Sequence, residues 1–175
     1  MTSRILGAVG AAVVVGTLVG CGTGPAPEPV PTPTAAFASE EEAFAAAEEV
    51  YRAYNEALNA RQSDQAAGDP QRFLTSAALE TYIDGENTLD SFGLRIAGDA
   101  SVTSFTGRSA ELSSDSARLT ALVCIDVSEV TVFDAANIDV TPVERGDMIA
   151  QSLTFVGTSQ SLLISDESPA ETTTC

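Results

Sequence analysis

The segment Ala117-Arg118-Leu119-Thr120-Ala121-Leu122-Val123-Cys124-Ile125-Asp126 alternates with a period of two. Leu119, Ala121, Val123 and Ile125 fall on one face, and Thr120, Leu122, Cys124 and Asp126 on the other. That spacing matches a strand, whose successive side chains point to opposite sides, and no helix would gather the first set on one face. The predicted partners lie on both sides of it. Upstream, Ser113-Ser114-Asp115-Ser116 reads as a turn and Val102–Leu112 as a strand with a weak point at Gly107. Downstream, Val130–Phe133 and Ile138–Thr141 flank Asp134-Ala135-Ala136-Asn137, the composition of a hairpin loop. Asp147–Val156 and Ser161–Ser165 are further strands, joined by the turn Gly157–Gln160. Asp166–Thr174 reads as a polar tail, mobile unless Cys175 is tied down.

Before Ala100 the period is helical. Phe44, Ala47, Tyr51, Tyr54 and Leu58 recur at alternate spacings of 3 and 4, which places them on one helix face. Ser39 is the expected N-cap with Glu42 as its capping-box partner. Glu40, Glu41 and Glu42 sit where the helix dipole favours anions, and Glu48 and Arg52 can pair across one turn. Asp69-Pro70 starts a short turn through Leu74. A second helix opens at Thr75 or Ser76, with Leu79, Tyr82, Ile83, Leu89 and Phe92 expected inward. Gly85 and Gly93 mark an expected kink and end. Helices followed by a run of strands define an α+β fold, helices on one face of an antiparallel sheet.

The N-terminal segment is of another kind. Met1–Arg4 carries one positive charge and Ile5–Val19 is uncharged and apolar or small. That is the length of a signal-peptide core and short for a membrane-spanning helix, which needs roughly 20 apolar residues. Leu18-Val19-Gly20-Cys21 has the form of a lipobox. Cys21 supplies the thiol for a diacylglyceryl group, and the small Gly20 leaves room for the peptidase. Residues 1–20 are therefore expected to be a lipoprotein signal peptide. Residues 21–38 follow as lipidated cysteine and tether, with Pro25, Pro27, Pro29, Pro31 and Pro33 favouring extended polyproline II at about 3.1 Å per residue. Residues 39–175 form the domain. The expected location is the extracytoplasmic face of the cell membrane, with membrane partnership through lipid on Cys21; two acyl chains hold stably where one is marginal.

Composition excludes several functions. The formal net charge is −17, every one of the 8 basic residues is Arg, and the acidity argues against nucleic acid as a partner. It also makes lipid, not charge, the expected means of holding a membrane. The 3 cysteines become an even pair once Cys21 is acylated, and an exported compartment permits a Cys124–Cys175 disulfide. With no His in the chain, Ser-His-Asp triads and histidine metal sites are absent. There is no phosphate-cradling glycine loop. Asp134, Asn137 and Asp139 lack calcium-loop spacing and fit a hairpin turn better. No cofactor and no metal are expected.

Taken together, the residues resemble a known family. The acidic first helix with its tyrosines comes first, then Asp69-Pro70 with Phe73-Leu74-Thr75. Gly98-Asp99 with Val102 and Phe105, Cys124-Ile125-Asp126-Val127-Ser128, Val140-Thr141-Pro142 and Cys175 continue the match. This order, over roughly Phe37 to Cys175, is similar to actinobacterial lipoproteins with a nuclear transport factor 2-like, or cystatin-like, domain. The resemblance implies a cone: a curved sheet wrapping a long helix around a pocket. It implies no activity. Tyr51, Tyr54, Tyr82 and Asp126 are the residues expected at such a pocket. The leading expectation is a non-catalytic binding or interaction module, with a small apolar ligand or an envelope protein as partner. The alternatives are a small isomerase- or dehydratase-type enzyme, with Tyr51 or Tyr54 beside Asp126 for proton transfer, and a structural component of an envelope complex.

Overall fold

The computed structural model describes residues 36–63, 68–171 and 175. Cys21, the signal segment and the tether prolines lie outside the described residues. Helix α1 spans Glu40–Gln62 and α2 Ser76–Phe92, with a 3-10 turn at Pro70–Phe73 between them. The strands are β1 Arg95–Ala97, β2 Ser101–Leu112, β3 Ala117–Asp126, β4 Thr131–Phe133, β5 Met148–Thr158 and β6 Ser161–Ala170. Strands β2, β3, β5 and β6 form an antiparallel sheet in that order, and β1 pairs with β4 in a separate two-stranded ribbon. The architecture is two helices packed on a curved antiparallel sheet, an α+β fold. No helix among the described residues is long and apolar enough to cross a membrane.

The alternating segment is β3. Leu119, Ala121, Val123 and Ile125 are buried against α1, and with Leu153, Phe155 and Ile164 they form the heart of the core. The opposite face carries Cys124, bonded to Cys175 with Cα atoms 5.6 Å apart. Gly107 is the weak point in β2 for a packing reason. A Cβ there would stand 2.6 Å from the Phe44 ring of α1, and the register slips between Gly107 and Ser109. The missing side chain lets α1 lie close against the sheet, while the bulge bends the strand.

Helix α1 starts as its sequence dictates. Ser39 Oγ accepts from Glu42 N at 3.1 Å, and the Glu42 carboxylate reaches back to Ala38 N at 3.0 Å. Arg52 pairs with Glu48 at 2.7 Å. Asn55 and Asn59 both donate to Ala100 O, at 2.7 and 2.9 Å, which fixes the helix to the entry of β2. Ala36 and Phe37, counted with the tether above, are buried. Ala36 bonds to Ser113 and Ser159, so it ties two strand turns together.

Several expectations need correction. Ile83 and Phe92 are exposed, at 40% and 71%. Helix α2 packs chiefly against β6, so only a narrow stripe of Ala78, Leu79, Tyr82, Glu86 and Leu89 turns inward. The helix runs through Gly85 and ends at Gly93, which takes the left-handed φ of 63°. That conformation costs glycine nothing and ends helices commonly. Ile138–Thr141 does not form a full strand: it meets β4 in a single antiparallel bridge, Phe133 with Asp139, with Val140 N donating to Val132 O at 2.8 Å, so the expected hairpin is present but its second arm is short. Asp134 Oδ1 accepts from Ala136 N and Ile138 N, and Asp139 Oδ1 accepts from Thr141 N. These side chains satisfy the backbone locally and compete with a ladder. The expected tail is the second half of β6, which continues to Ala170. Pro169 is tolerated there because β6 is an edge strand.

Candidate functional site

Tyr51 and Tyr54 stand on the inward face of α1, their rings 5.8 Å apart, both buried. Tyr54 also meets Phe73 edge-on at 6.4 Å. From the opposite side comes Glu167 of β6. The Tyr51 hydroxyl donates to Glu167 Oε1 at 3.2 Å, and the same carboxylate draws the Tyr54 hydroxyl.

A bulge delivers Glu167 to this place. Phe155 of β5 pairs with Ile164 of β6, and the preceding Thr154 pairs with Asp166, so Ser165 is the extra residue. Strict alternation from Leu162 and Ile164 would send Asp166 inward. The extra residue reverses the phase, and Glu167 sits opposite the buried Leu153 instead. The Glu167 side chain was missed in the sequence for that reason, and because it lay in a run read as tail.

Burial sets the electrostatics. It pushes the Glu167 carboxyl above the ordinary 4.5, against the hydrogen bonds from Tyr51 and Tyr54, which pull it down. It also holds the Tyr51 and Tyr54 hydroxyls well above a phenol's usual value, with the Glu167 charge adding to the effect. Both tyrosines are therefore neutral donors at ordinary pH. The raised carboxyl carries a sign: the folded state holds that proton more tightly than the unfolded chain. Its contribution is present below pH 4.5 and is lost as pH rises through the higher folded value. Glu167→Gln keeps an acceptor and removes the titration. The variant is expected to gain in melting temperature on the wild type between pH 4.5 and pH 7, checked by thermal unfolding followed by circular dichroism.

The other expected pocket residues lie apart. Asp126 is at the surface, accepts from Ser128 N at 2.9 Å and has its carboxyl lowered by the Ser128 hydrogen bonds. It caps the turn after β3. The pairing of Tyr51 or Tyr54 with Asp126 is thus corrected: residue 126 falls on the sheet face opposite the helices, as the alternation of β3 requires. Tyr82 of α2 is half-buried, and its hydroxyl makes no hydrogen bond of ordinary geometry among the described residues. It is pushed up to about 12, by burial first and by the Glu86 charge, with Arg61 opposing. Asp134, Asn137 and Asp139 serve turns, and Asn137 Oδ1 accepts from Arg95 at 2.9 Å.

The four best-formed clefts on the described residues are not lined by Tyr51, Tyr54 or Glu167. One of about 170 Å³ opens where the last turns of α1 and the second half of α2 meet β1. Here Arg61 pairs with Glu86 at 2.6 Å, and Gln62 Oε1 is buried without a hydrogen-bond partner among the described residues. A second groove, of about 440 Å³, runs along α1, Phe73 and the β5–β6 turn.

The fold and these sites define an α+β domain with a closed, hydrogen-bonded helix–sheet interface and shallow surface clefts. No known family's sequence profile matches the chain, and no curated protein matches it. Among solved structures it is similar to the intermembrane space region of the chloroplast protein ARC6. Identity is 15%, the TM-score is 0.52, and the match covers 74% of this chain and 97% of that one. At that identity the likeness concerns the fold alone.

Proposed function

We propose that the chain is a lipid-anchored module of the extracytoplasmic membrane face that binds or docks a partner rather than transforming a substrate. The domain is read as nuclear transport factor 2-like, with Cys21 as its anchor and residues 21–35 as its stand-off. The observation that carries the non-catalytic part is the closed interface. The carboxylate and phenols that could move protons, Glu167, Tyr51 and Tyr54, hydrogen-bond one another inside the core and line none of the four best-formed clefts. Asp126, the other carboxylate candidate, faces solvent on the far side of the sheet. A general acid or base must come within hydrogen-bond reach of its substrate proton; Glu167 is turned into the core away from such a substrate, and Asp126, though accessible, stands on the other sheet face from the tyrosines expected beside it. The disulfide between Cys124 and Cys175 supports an oxidising compartment.

The test uses the full chain in a bacterium with lipoprotein-processing enzymes. Wild type is expected almost entirely in the membrane fraction, with a thioether-linked diacylglyceryl group on Cys21 in the mass spectrum. Cys21→Ala is expected to leave that fraction. Membrane retention of Cys21→Ala, or an unmodified Cys21 in wild type, refutes the anchor. Crosslinking in intact cells tests the module: reproducible capture of one envelope protein supports docking.

A further inference from the structure

Four of the five large hydrophobic side chains exposed among the described residues share one corner of the fold. Ile138, Val140 and Val143 lie close together in the loop from β4 to β5, and Val143 is 91% exposed. Phe92 joins them from the end of α2. A Cβ on the next residue, Gly93, would stand 3.3 Å from the Ala135 side chain of that loop. Single apolar residues scattered on a surface are ordinary, whereas a cluster marks a contact site. The loop is also held in place. Arg145 donates to Val127 O at 2.7 Å and to Val130 O at 2.8 Å, and Val132 N donates to Thr141 Oγ1 at 2.9 Å. The Asp134 and Asp139 carboxylates take backbone N–H groups of the same loop. The apolar side chains are therefore presented in a fixed arrangement, and docking on them has little loop to order.

Position and charge narrow what the corner meets. Ala36 bonds to the β2–β3 turn at Ser113 and to the β5–β6 turn at Ser159, so the chain enters the domain at that end of the sheet. The β4–β5 loop lies at the other end, where Asp126 pairs with Ser101 and with Met148. The ten residues of β3 separate the two ends by about 30 Å. The corner is thus remote from the point where an anchored tether joins. Asp90, Asp139, Glu144 and Asp147 are exposed around it. The arginines of the corner are engaged, Arg95 on Asn137 and the Phe133 ring and Arg145 on the loop carbonyls. The outward charge is negative, which repels anionic lipid and a second copy of this chain alike and attracts Lys and Arg.

We propose that this corner is the docking surface of the module, and that its partner is a segment of another envelope protein with an apolar centre flanked by Lys or Arg. Phe92, Ile138, Val140 and Val143 form the apolar middle of the contact, and the carboxylates form its rim. The inference names the surface and the partner chemistry for the module proposed above and rests on that reading.

The test is photo-crosslinking of the full chain in its native cells, with benzoylphenylalanine placed in turn at Ile138, at Val143 and, as a control, at Ile83. Ile83 is exposed too, but its spacing from Phe92 puts it on the opposite face of α2. Ile138 and Val143 are expected to capture the same envelope protein, through a peptide whose mass-spectrometric sequence carries Lys or Arg on both sides of an apolar centre. Ile83 is expected to capture it at least about tenfold less. With the probe at Val143, Phe92→Ser with Ile138→Ser, and Glu144→Lys with Asp147→Lys, are each expected to lower capture at least about tenfold at unchanged melting temperature, since all four side chains are exposed. Ile83→Ser is expected to leave capture unchanged. Crosslinks to lipid or to a second copy alone overturn the proposal. So do an acidic or uncharged target segment, equal capture at Ile83, and capture unmoved by the two double variants. If an envelope protein is captured through another face and none through the corner, only this proposal falls. If no face captures a protein, the module reading falls with it.

Discussion

Removal of the Cys124–Cys175 bond, as Cys124→Ala with Cys175→Ala, is expected to lower the stability of the domain by about 4 kcal/mol. The two residues are 51 apart in sequence. A cross-link across a loop of that size removes closure entropy from the unfolded chain, and the magnitude follows from the chain-entropy relation. Alanine is the appropriate replacement because Cys124 is 4% exposed, and a hydroxyl there would be buried. The bond also has a local role. Cys124 pairs with Ala150 in the middle of the sheet, and Cys175 lies near Ile149 O at 3.8 Å. The bond therefore holds Cys175 on β3 beside β5. The loss is expected as a fall in melting temperature of roughly 10–20 °C for a domain of this size. Reductant is expected to lower the wild type by a similar amount and to leave the double variant unmoved. A reductant-insensitive wild type would contradict the bond's role in stability.

Phe155→Ala is expected to cost about 3–5 kcal/mol, a loss of the same order from the opposite face of the sheet. Phe155 is fully buried, and its neighbours on β3 and β6, Leu119 and Ile164, are fully buried too. Its ring stands 6.1 Å from that of Phe105 on β2. One side chain therefore spans the inner face of all four strands. Truncation removes its transfer free energy and leaves a cavity that paired strands cannot easily close. Urea unfolding should report a lower midpoint with an unchanged slope, because the exposed area on unfolding stays similar. The cysteine pair lies on the outer face of the sheet and Phe155 on the inner, so the two losses should add. Their sum of about 7–9 kcal/mol exceeds the whole stability of many domains. The triple variant is then expected to be largely unfolded at room temperature, with far-ultraviolet circular dichroism as the readout.

How much of this was legible in the sequence depends on how local the cause is. The capping box at Ser39 and Glu42, the Glu48–Arg52 pair and the inward tyrosines of α1 follow from spacing along one helix. The alternation of β3 likewise predicts which residues are buried, because period two is a property of the strand itself. The disulfide followed from cysteine parity. The exposed Phe92 and Ile83 were misread because the stripe α2 buries is set by its seat on β6, which helical periodicity does not reveal. The strand expected at Ile138–Thr141 is cut to one bridge with β4 because Asp134 and Asp139 take part of the backbone's hydrogen bonding locally.

By itself the sequence determined the α+β order of elements, the inner face of β3, the partners of its helix cap and the pairing of Cys124 with Cys175. It also carries the expectation of an anchor at Cys21. The tertiary structure alone decided which carboxylate meets the tyrosines. Asp126 is excluded by its place on the outer sheet face, and Glu167 is admitted by the single extra residue, Ser165, that turns β6 over. It also decided that the end of α2, with Phe92, lies against the loop that carries Ile138, Val140 and Val143. The physical reason is the same in both cases. Strand register and helix placement are set by contacts between segments distant in sequence, and one residue of slip exchanges the two faces of a strand.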